Sequence, residues 1–151
     1  MIADFRDLLS AFVLGGVRFL VVGAHALAAH GVPRVTADLD VWVEPTSENA
    51  GLVWRALATF GAPLESLGVR ETDLSILDQV VQLGLPPYRI DVMTSISGVA
   101  FADAWAERVK GTLFGVPVAF LGRDTFIKNK RASGRPRDLL DIEALEGLDL
   151  P

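Results

Sequence analysis

Two aspartates separated by one residue are the side chains of this sequence whose type and spacing point most directly to chemistry. Residues 37–44 read as a strand, and a period of two places the apolar side chains on one face and Asp38 and Asp40 on the other. Aspartate is depleted in strands, and two carboxylates about 6–7 Å apart on one face repel each other without a counter-ion. Mg²⁺ takes one or two such carboxylates beside substrate phosphates. The pair therefore indicates either a divalent metal site or a solvated strand face.

Two further features could lie near this acid pair. Asp91 lies in the short strand 89–93, where alternation separates it from its apolar neighbours, so it is either a third site carboxylate or an edge residue in water. Gly23 joins the buried strand 18–22 to a helix-prone stretch, and such a junction lets the backbone approach an anion closely. Three acids on neighbouring strands can hold two metal ions that bind the attacking and leaving oxygens of a phosphoryl transfer.

The positive charge of the chain is concentrated near its C-terminus. The net charge is −5, yet residues 123–137 sum to +5, whereas residues 1–122 and 138–151 each sum to −5. An acidic protein with one basic segment suits a small polyanion better than a long nucleic-acid track, which favours a broader basic surface. The other interpretation of this segment is an ordinary solvated helix face.

Composition limits the class of protein. With 151 residues, of which 50% are hydrophobic and 22% charged, we expect one folded domain spanning 1–151. The absence of cysteine excludes disulfides and thiolate metal sites, and it is typical of a reducing compartment, so we expect a cytoplasmic protein. The longest charge-free stretch, 19–33, is too short to span a membrane, so no membrane association is expected.

Hydrophobic periodicity and turn residues predict the elements that must position these groups. The predicted helices are 2–14, 24–30, 45–61, 98–109, 123–132 and 136–147, and residues 62–78 hold at most a short helix near 73–77. The predicted strands are 18–22, 37–44, 80–85, 88–94, 110–114 and 116–121. This order indicates an α+β fold with a mixed, partly antiparallel sheet of four to six strands covered by helices, with a basic C-terminal helical segment at about 123–147.

The combined motifs resemble those of a known superfamily. Gly23-Ala24, thirteen intervening residues, Asp38-Leu39-Asp40 and the later Asp91 resemble the DNA polymerase β-like nucleotidyltransferases, in particular the small single-domain members found in bacterial antitoxin and abortive-infection systems. The strings 30–38 and 128–141 are similar to further motifs of that family, so the resemblance spans most of residues 18–143. It implies the polymerase β-like fold with C-terminal helices. Ala24 departs from the pattern, because the family has Gly or Ser there.

The resemblance also implies an activity and a set of site residues. A nucleoside triphosphate, ATP by default, would transfer its nucleoside monophosphate to an acceptor hydroxyl and release pyrophosphate. Asp38, Asp40 and Asp91 would be catalytic and would bind two Mg²⁺ ions. Contacts to the nucleotide would come from the remaining candidates, namely Gly23, Ala24, His25, Arg34, Lys128, Lys130 and Arg135.

The sequence leaves the acceptor and the class of function open. The acceptor could be a small molecule, a tRNA or a protein, and a cognate toxin or a second copy of the chain could be a partner. The alternative function is a non-catalytic antitoxin or regulatory module that binds a partner through the same scaffold. A third possibility, a metal-dependent nuclease or phosphatase, would use the same acids but explains the basic segment and the glycine turn less well.

Three side chains near the motifs have competing interpretations. Arg34 could bind phosphate, but an ion pair with Asp38 or Glu44 is the expected role. His25 lies close enough to the glycine turn to touch a nucleotide, although a packed histidine is commoner. Trp42 shares the acid face and could stack on a base, but we expect it to cover the sheet beneath a helix.

Overall fold

A computed structural model describes residues 2–148 of the chain. Its α-helices are Ile2–Leu14 (α1), Gly23–Ala29 (α2), Ser47–Phe60 (α3), Phe101–Ala106 (α4), Arg123–Ser133 (α5) and Pro136–Gly147 (α6). Its strands are Phe19–Val22 (β1), Asp38–Val43 (β2), Val80–Leu83 (β3), Arg89–Met93 (β4), Val109–Leu113 (β5) and Val116–Phe120 (β6). A short 3-10 helix at Glu71–Ser75 follows α3.

The strands form one mixed sheet in the order β3-β4-β2-β1-β6-β5. The pairs β1–β2, β3–β4 and β5–β6 are antiparallel, whereas β2–β4 and β1–β6 are parallel. The hairpins β3–β4 and β5–β6 therefore lie at the two sides of the sheet, with β2 and β1 at its centre and β4, which carries Asp91, directly beside β2. The prediction of an α+β fold with a partly antiparallel sheet is confirmed, at the upper end of the expected strand number.

Strand β2 occupies a central position because one of its faces is wholly apolar. Leu39, Val41 and Val43 are completely buried, as the period of two predicts. On the opposite face Trp42 is also buried, and Phe101 of α4 covers it edge to face with ring centroids 5.0 Å apart. Since this end of the acid face is closed, only its N-terminal end with Asp38 and Asp40 stays accessible.

Local signals in the sequence set the bounds of the longer helices. Thr46 caps α3 by accepting a hydrogen bond from the backbone N–H of Asn49 at 3.2 Å, and Gly61 ends it with a φ of +94°. Gly134 ends α5 in the same left-handed conformation, and Pro136 is the first residue of α6. These boundaries place α5 and α6 as an antiparallel pair joined by a short turn.

The helix predicted over 98–109 is wrong at both ends. Helix α4 covers only Phe101–Ala106, because Gly98 has a φ of +74° and the chain enters β5 at Val109. Gly98 also lies so close to Ala132 of α5 that an added Cβ would collide with it. A close backbone approach, which periodicity does not reveal, fixes this loop.

No helix among residues 2–148 is both long enough and apolar enough to cross a membrane.

Candidate active site

The three candidate carboxylates meet in one cavity of about 520 Å³. Strands β2 and β4 are parallel neighbours whose register places Asp40 directly beside Asp91, and Asp38 beside Arg89. The acids predicted from separate parts of the sequence therefore share one sheet face and one opening. Fifteen residues line the cavity: Gly23, Ala24, Leu27, Arg34, Val35, Thr36, Asp38, Asp40, Arg89, Asp91, Phe126, Lys130, Arg135, Arg137 and Asp141.

The glycine turn lies against the acid pair. Gly23 is the first residue of α2, directly after β1, and its φ is +67°. A Cβ at this position would collide with Oδ2 of Asp40, so only glycine lets the backbone approach that carboxylate without a shift. The start of α2 and the carboxylate of Asp40 thus form adjoining walls of the cavity.

Burial and the crowding of negative charge disfavour ionisation of Asp40. Burial, followed by the neighbouring charges of Asp91 and Asp38, raises the pKa of Asp40 from 3.8 to about 6, against the opposing effects of Lys130 and Arg89. Within residues 2–148, Asp40 makes neither a hydrogen bond nor an ion pair of its own. This carboxylate is therefore the group that would gain most from a cation placed among the three acids.

Arg89 is the main feature of the site that the sequence interpretation missed. Its Nε donates to Oδ1 of Asp91 at 3.0 Å, its Nη2 donates to Oδ2 at 3.3 Å, and Nη2 lies 3.7 Å from Oδ2 of Asp38. The hydrogen bond to Asp91, reinforced by the neighbouring carboxylates, raises the pKa of Arg89. One guanidinium thus neutralises part of the acid cluster. Its position two residues before Asp91 on a strand was a readable signal, since residues i and i+2 share a face.

The C-terminal helices and the turn between them contribute a basic wall to the cavity. Lys130 of α5 lies 3.3 Å from Oδ1 of Asp138, and Arg135 donates through Nε to Oδ2 of the same carboxylate at 2.8 Å. Burial alone raises the pKa of Asp138, but hydrogen bonds and charge from Arg135 and Lys130 lower it to about 2. Asp138 therefore anchors two of the cations that face the acids, and Arg137 adds a third cation to the same wall.

Arg34 lies in the cavity, but the ion pair expected for it is wrong. Its guanidinium pairs with Asp141 of α6 and not with Asp38 or Glu44; Glu44 pairs with Arg18 instead. The contact ties the loop before β2 to the C-terminal helix over 107 positions of sequence. Thr36, in the same loop, accepts a hydrogen bond from the backbone N–H of Asp38 at 3.1 Å.

Two of the predicted nucleotide contacts are not brought to the cavity. His25 packs edge-on against Phe5 and Phe114, with ring centroids 6.4 and 5.5 Å away, and burial lowers its pKa although a hydrogen bond with the backbone of Asp38 opposes that change. Lys128 lines a separate groove on the outer side of α5. His25 therefore supports the strand that carries the acids, whereas Lys128 is not part of the cavity lining.

Trp42 does not reach the cavity either. It is buried under Phe101, as the commoner of its two interpretations predicts, so it has no face free for a base. Apolar surface in the cavity comes instead from Leu27, Val35 and Phe126, none of which the sequence singled out. Val35 is fully exposed at the opening.

The side chains of the cavity can be compared with the ligands that the divalent ion implied by the motifs would need. Among residues 2–148 no three His, Asp or Glu side chains already converge in an arrangement that could hold a metal ion, and Asp91, the third expected ligand, is taken up by Arg89. The chemistry nevertheless fits a hard cation, because the candidate ligands are carboxylate oxygens, and burial together with the neighbouring acids Asp91 and Asp38 raises the pKa of Asp40 to about 6. Asp38 and Asp40 are the residues that fit such an ion.

Comparisons with known proteins support the fold independently of the motifs. No protein-family model matches the sequence, and no curated protein matches it at a significant level. The structure is similar to the crystal structure of a candidate nucleotidyltransferase from Thermotoga maritima, with a TM-score of 0.58 and 17% sequence identity over 96% of this chain and 88% of that one. At this identity the likeness shows a shared fold. The chain therefore has an α+β fold similar to that of this nucleotidyltransferase-like protein.

Proposed function

We propose that this protein is a Mg²⁺-dependent nucleotidyltransferase that moves a nucleoside monophosphate from a nucleoside triphosphate to an acceptor hydroxyl. The observation that supports it best is one cavity with Asp38, Asp40 and Asp91 on one wall, Gly23 beside them and a basic wall. A nucleoside triphosphate could bind here with its β- and γ-phosphates at the basic wall and its α-phosphate beside the acids. The shared fold with a candidate nucleotidyltransferase agrees with this function.

Each wall has a distinct task in the proposed reaction. Asp38 and Asp40 would hold Mg²⁺, one or two ions, which supply charge neutralisation at the reacting phosphate oxygens. The backbone of Gly23 and Ala24 would lie against the phosphates. Lys130 and Arg135, positioned by Asp138, would neutralise the charge that develops on the departing pyrophosphate.

The bond changes follow from this arrangement. The acceptor oxygen attacks the α-phosphorus and forms the new P–O bond, while the bond from that phosphorus to the oxygen bridging the α- and β-phosphates breaks and pyrophosphate leaves. Asp91 would orient the acceptor hydroxyl and take its proton; its register beside Asp40 and its place in the cavity lining support this role. ATP is the default donor, and the acceptor is a small molecule, a tRNA or a protein hydroxyl in the cytoplasm.

His25 and Lys128 have no part in this proposed nucleotide site. The ring of His25 packs against phenylalanines, and Lys128 faces the outer groove of α5. Arg34 contributes its charge to the cavity while paired with Asp141. Ala24 keeps a backbone N–H at the phosphate position but lacks the hydroxyl that a serine would offer.

A non-catalytic module that binds a partner, such as an antitoxin, is the second candidate. The observation that favours it is Arg89, which already neutralises Asp91 and approaches Asp38 without any metal. A scaffold that has lost its metal would need such an internal counter-ion. The two functions differ in whether nucleotide is transferred at all.

The experiment is a label-transfer assay with nucleoside triphosphates carrying radioactive α-phosphate, with and without Mg²⁺, against cell extract and the protein itself as acceptors. We expect Mg²⁺-dependent transfer with release of pyrophosphate, and its loss in Asp38→Asn and Asp40→Asn. The matched control is Glu44→Gln, which neutralises a carboxylate that follows the same strand and lies outside the cavity. Absence of transfer together with tight binding of a protein partner would favour the module instead.

A further inference from the structure

Arg89 places a single positive charge among the three carboxylates of the proposed active site, two of which, Asp38 and Asp40, are the proposed metal ligands. It lies on β4, two residues before Asp91 on the same face, and the parallel register sets it opposite Asp38. Its contacts come in two kinds: a bidentate pair that covers both oxygens of Asp91, and a longer approach to Asp38. The guanidinium thus stands where a cation is electrostatically required.

The charge of Arg89 and its approach to Asp38 oppose a divalent ion at this cluster, and its pair with Asp91 keeps that third carboxylate from the ion. A ligand to Mg²⁺ must offer an oxygen lone pair at about 2.0–2.1 Å, and a carboxylate engaged at both oxygens by a guanidinium has less to offer. Of the three carboxylates, all within the described residues, Asp91 has the bidentate pair, Asp38 has the longer approach, and Asp40 alone has neither. Metal alone therefore meets a site that Arg89 has partly neutralised.

The side chain of Arg89 could bind a phosphate in the cavity instead of Asp91. It is one-third exposed, its hydrogen bonds within residues 2–148 go only to Asp91, and it lines the same cavity as Lys130 and Arg135. Guanidinium groups bind phosphate oxygens in the same bidentate manner in which they bind a carboxylate. A triphosphate in this cavity would offer Arg89 a new partner at the moment when Asp91 is needed elsewhere.

We infer that Arg89 is an internal counter-cation of the acid cluster, which the metal–triphosphate complex displaces and which then binds the phosphates of that same substrate. This role depends on the function proposed above, because it requires both a metal and a triphosphate in the cavity. This role of Arg89 makes metal binding and nucleotide binding strongly coupled. Each ligand alone has to compete with the ion pairs that Arg89 makes with the acids. When both bind, the metal replaces Arg89 at the acids and the phosphates become the new partner of Arg89.

The test measures metal binding directly, without catalysis. Mn²⁺ is titrated into the wild type, Arg89→Gln and Arg89→Lys, followed by electron paramagnetic resonance, first alone and then with an ATP analogue that has a methylene group between the α- and β-phosphates. We expect Arg89→Gln to bind Mn²⁺ alone about tenfold more tightly than the wild type, because a repelling charge is removed. The analogue should then enhance Mn²⁺ affinity less than it does in the wild type. Arg89→Lys keeps the charge without the bidentate geometry, and its Mn²⁺ affinity should lie between the two.

Arg108→Gln is the matched control, because Arg108 stacks on Trp105, 4.1 Å from the ring centroid, and does not line the cavity. Its Mn²⁺ affinity should equal that of the wild type. Circular dichroism verifies that each variant is folded.

Several outcomes would overturn this role of Arg89. Weaker Mn²⁺ binding by folded Arg89→Gln would mean that Arg89 orients Asp91 as a ligand, and unchanged coupling to the analogue would mean that Arg89 never moves to phosphate. If neither the wild type nor any of the variants binds Mn²⁺, with or without the analogue, the proposed metal-dependent function fails as well. Tighter Mn²⁺ binding in Arg89→Gln with no label transfer by the wild type would support the role of Arg89 and contradict the transferase.

Discussion

Replacing Asp40 by asparagine should stabilise the metal-free protein, and the gain should depend on pH. The pKa of Asp40 rises from 3.8 to about 6, first through burial and then through Asp91 and Asp38. Each pKa unit corresponds to about 1.36 kcal/mol, so ionising Asp40 costs the folded state about 2–3 kcal/mol relative to the unfolded chain. An amide of the same shape removes that cost.

The sign follows from the two pKa values of Asp40. The folded protein keeps the proton up to about pH 6, whereas the unfolded chain releases it near pH 3.8. The contribution of this carboxyl to stability is therefore complete below the lower value and is lost as the pH rises through the higher one. Asp40→Asn should match the wild type at low pH and exceed it by about 2–3 kcal/mol at neutral pH and above.

Urea unfolding without divalent metal, repeated from about pH 3.5 to about pH 8, measures this difference. The control is Glu65→Gln, an exposed carboxylate in the loop after α3, whose difference from the wild type should stay near zero throughout. Adding Mg²⁺ at neutral pH should stabilise the wild type and not Asp40→Asn. A difference that does not change between the acidic and the neutral range, or a less stable Asp40→Asn at pH 8, would refute the electrostatic reasoning.

Two further predictions concern the walls of the cavity. Gly23→Ala should lose at least about 1 kcal/mol more stability in urea unfolding than Gly16→Ala, because both have a positive φ but only Gly23 would collide with Asp40; equal losses would contradict the close packing. Lys130→Ala should weaken ATP binding about tenfold or more in calorimetry, whereas Lys128→Ala, two residues away on α5, should leave it within about twofold. Similar effects of the two lysine variants would mean that the triphosphate does not lie in this cavity.

The fold was largely predictable because its elements carry local signals. Strand β2 alternates cleanly, its two faces separate Leu39 from Asp40, and Gly61 and Gly134 end helices where the sequence suggests. The convergence of Asp38, Asp40 and Asp91 followed from three acids on strands, although the parallel register between β2 and β4 that aligns them could not be read from the sequence.

The wrong predictions for the site have two causes: partners that are distant in the sequence, and the different directions in which residues two apart on a helix point. Arg34 was assigned to nearby acids because Asp141, its actual partner, lies 107 positions away. Lys128 and Lys130 were both placed at the phosphates, yet residues two apart on a helix do not face the same way, and only Lys130 reaches the cavity. His25 was misplaced because nothing in the sequence shows that Phe5 and Phe114 pack against it.

The most direct test of the central claim is a crystal structure with Mn²⁺ and the same non-hydrolysable ATP analogue, using the anomalous signal of manganese to locate the metal. We predict a manganese peak bonded to carboxylate oxygens of Asp38 and Asp40, with the triphosphate between Gly23 and Lys130. A nucleotide bound outside this cavity, such as in the groove beside Lys128, or a triphosphate in the cavity with no manganese at the acids, would contradict the proposed function.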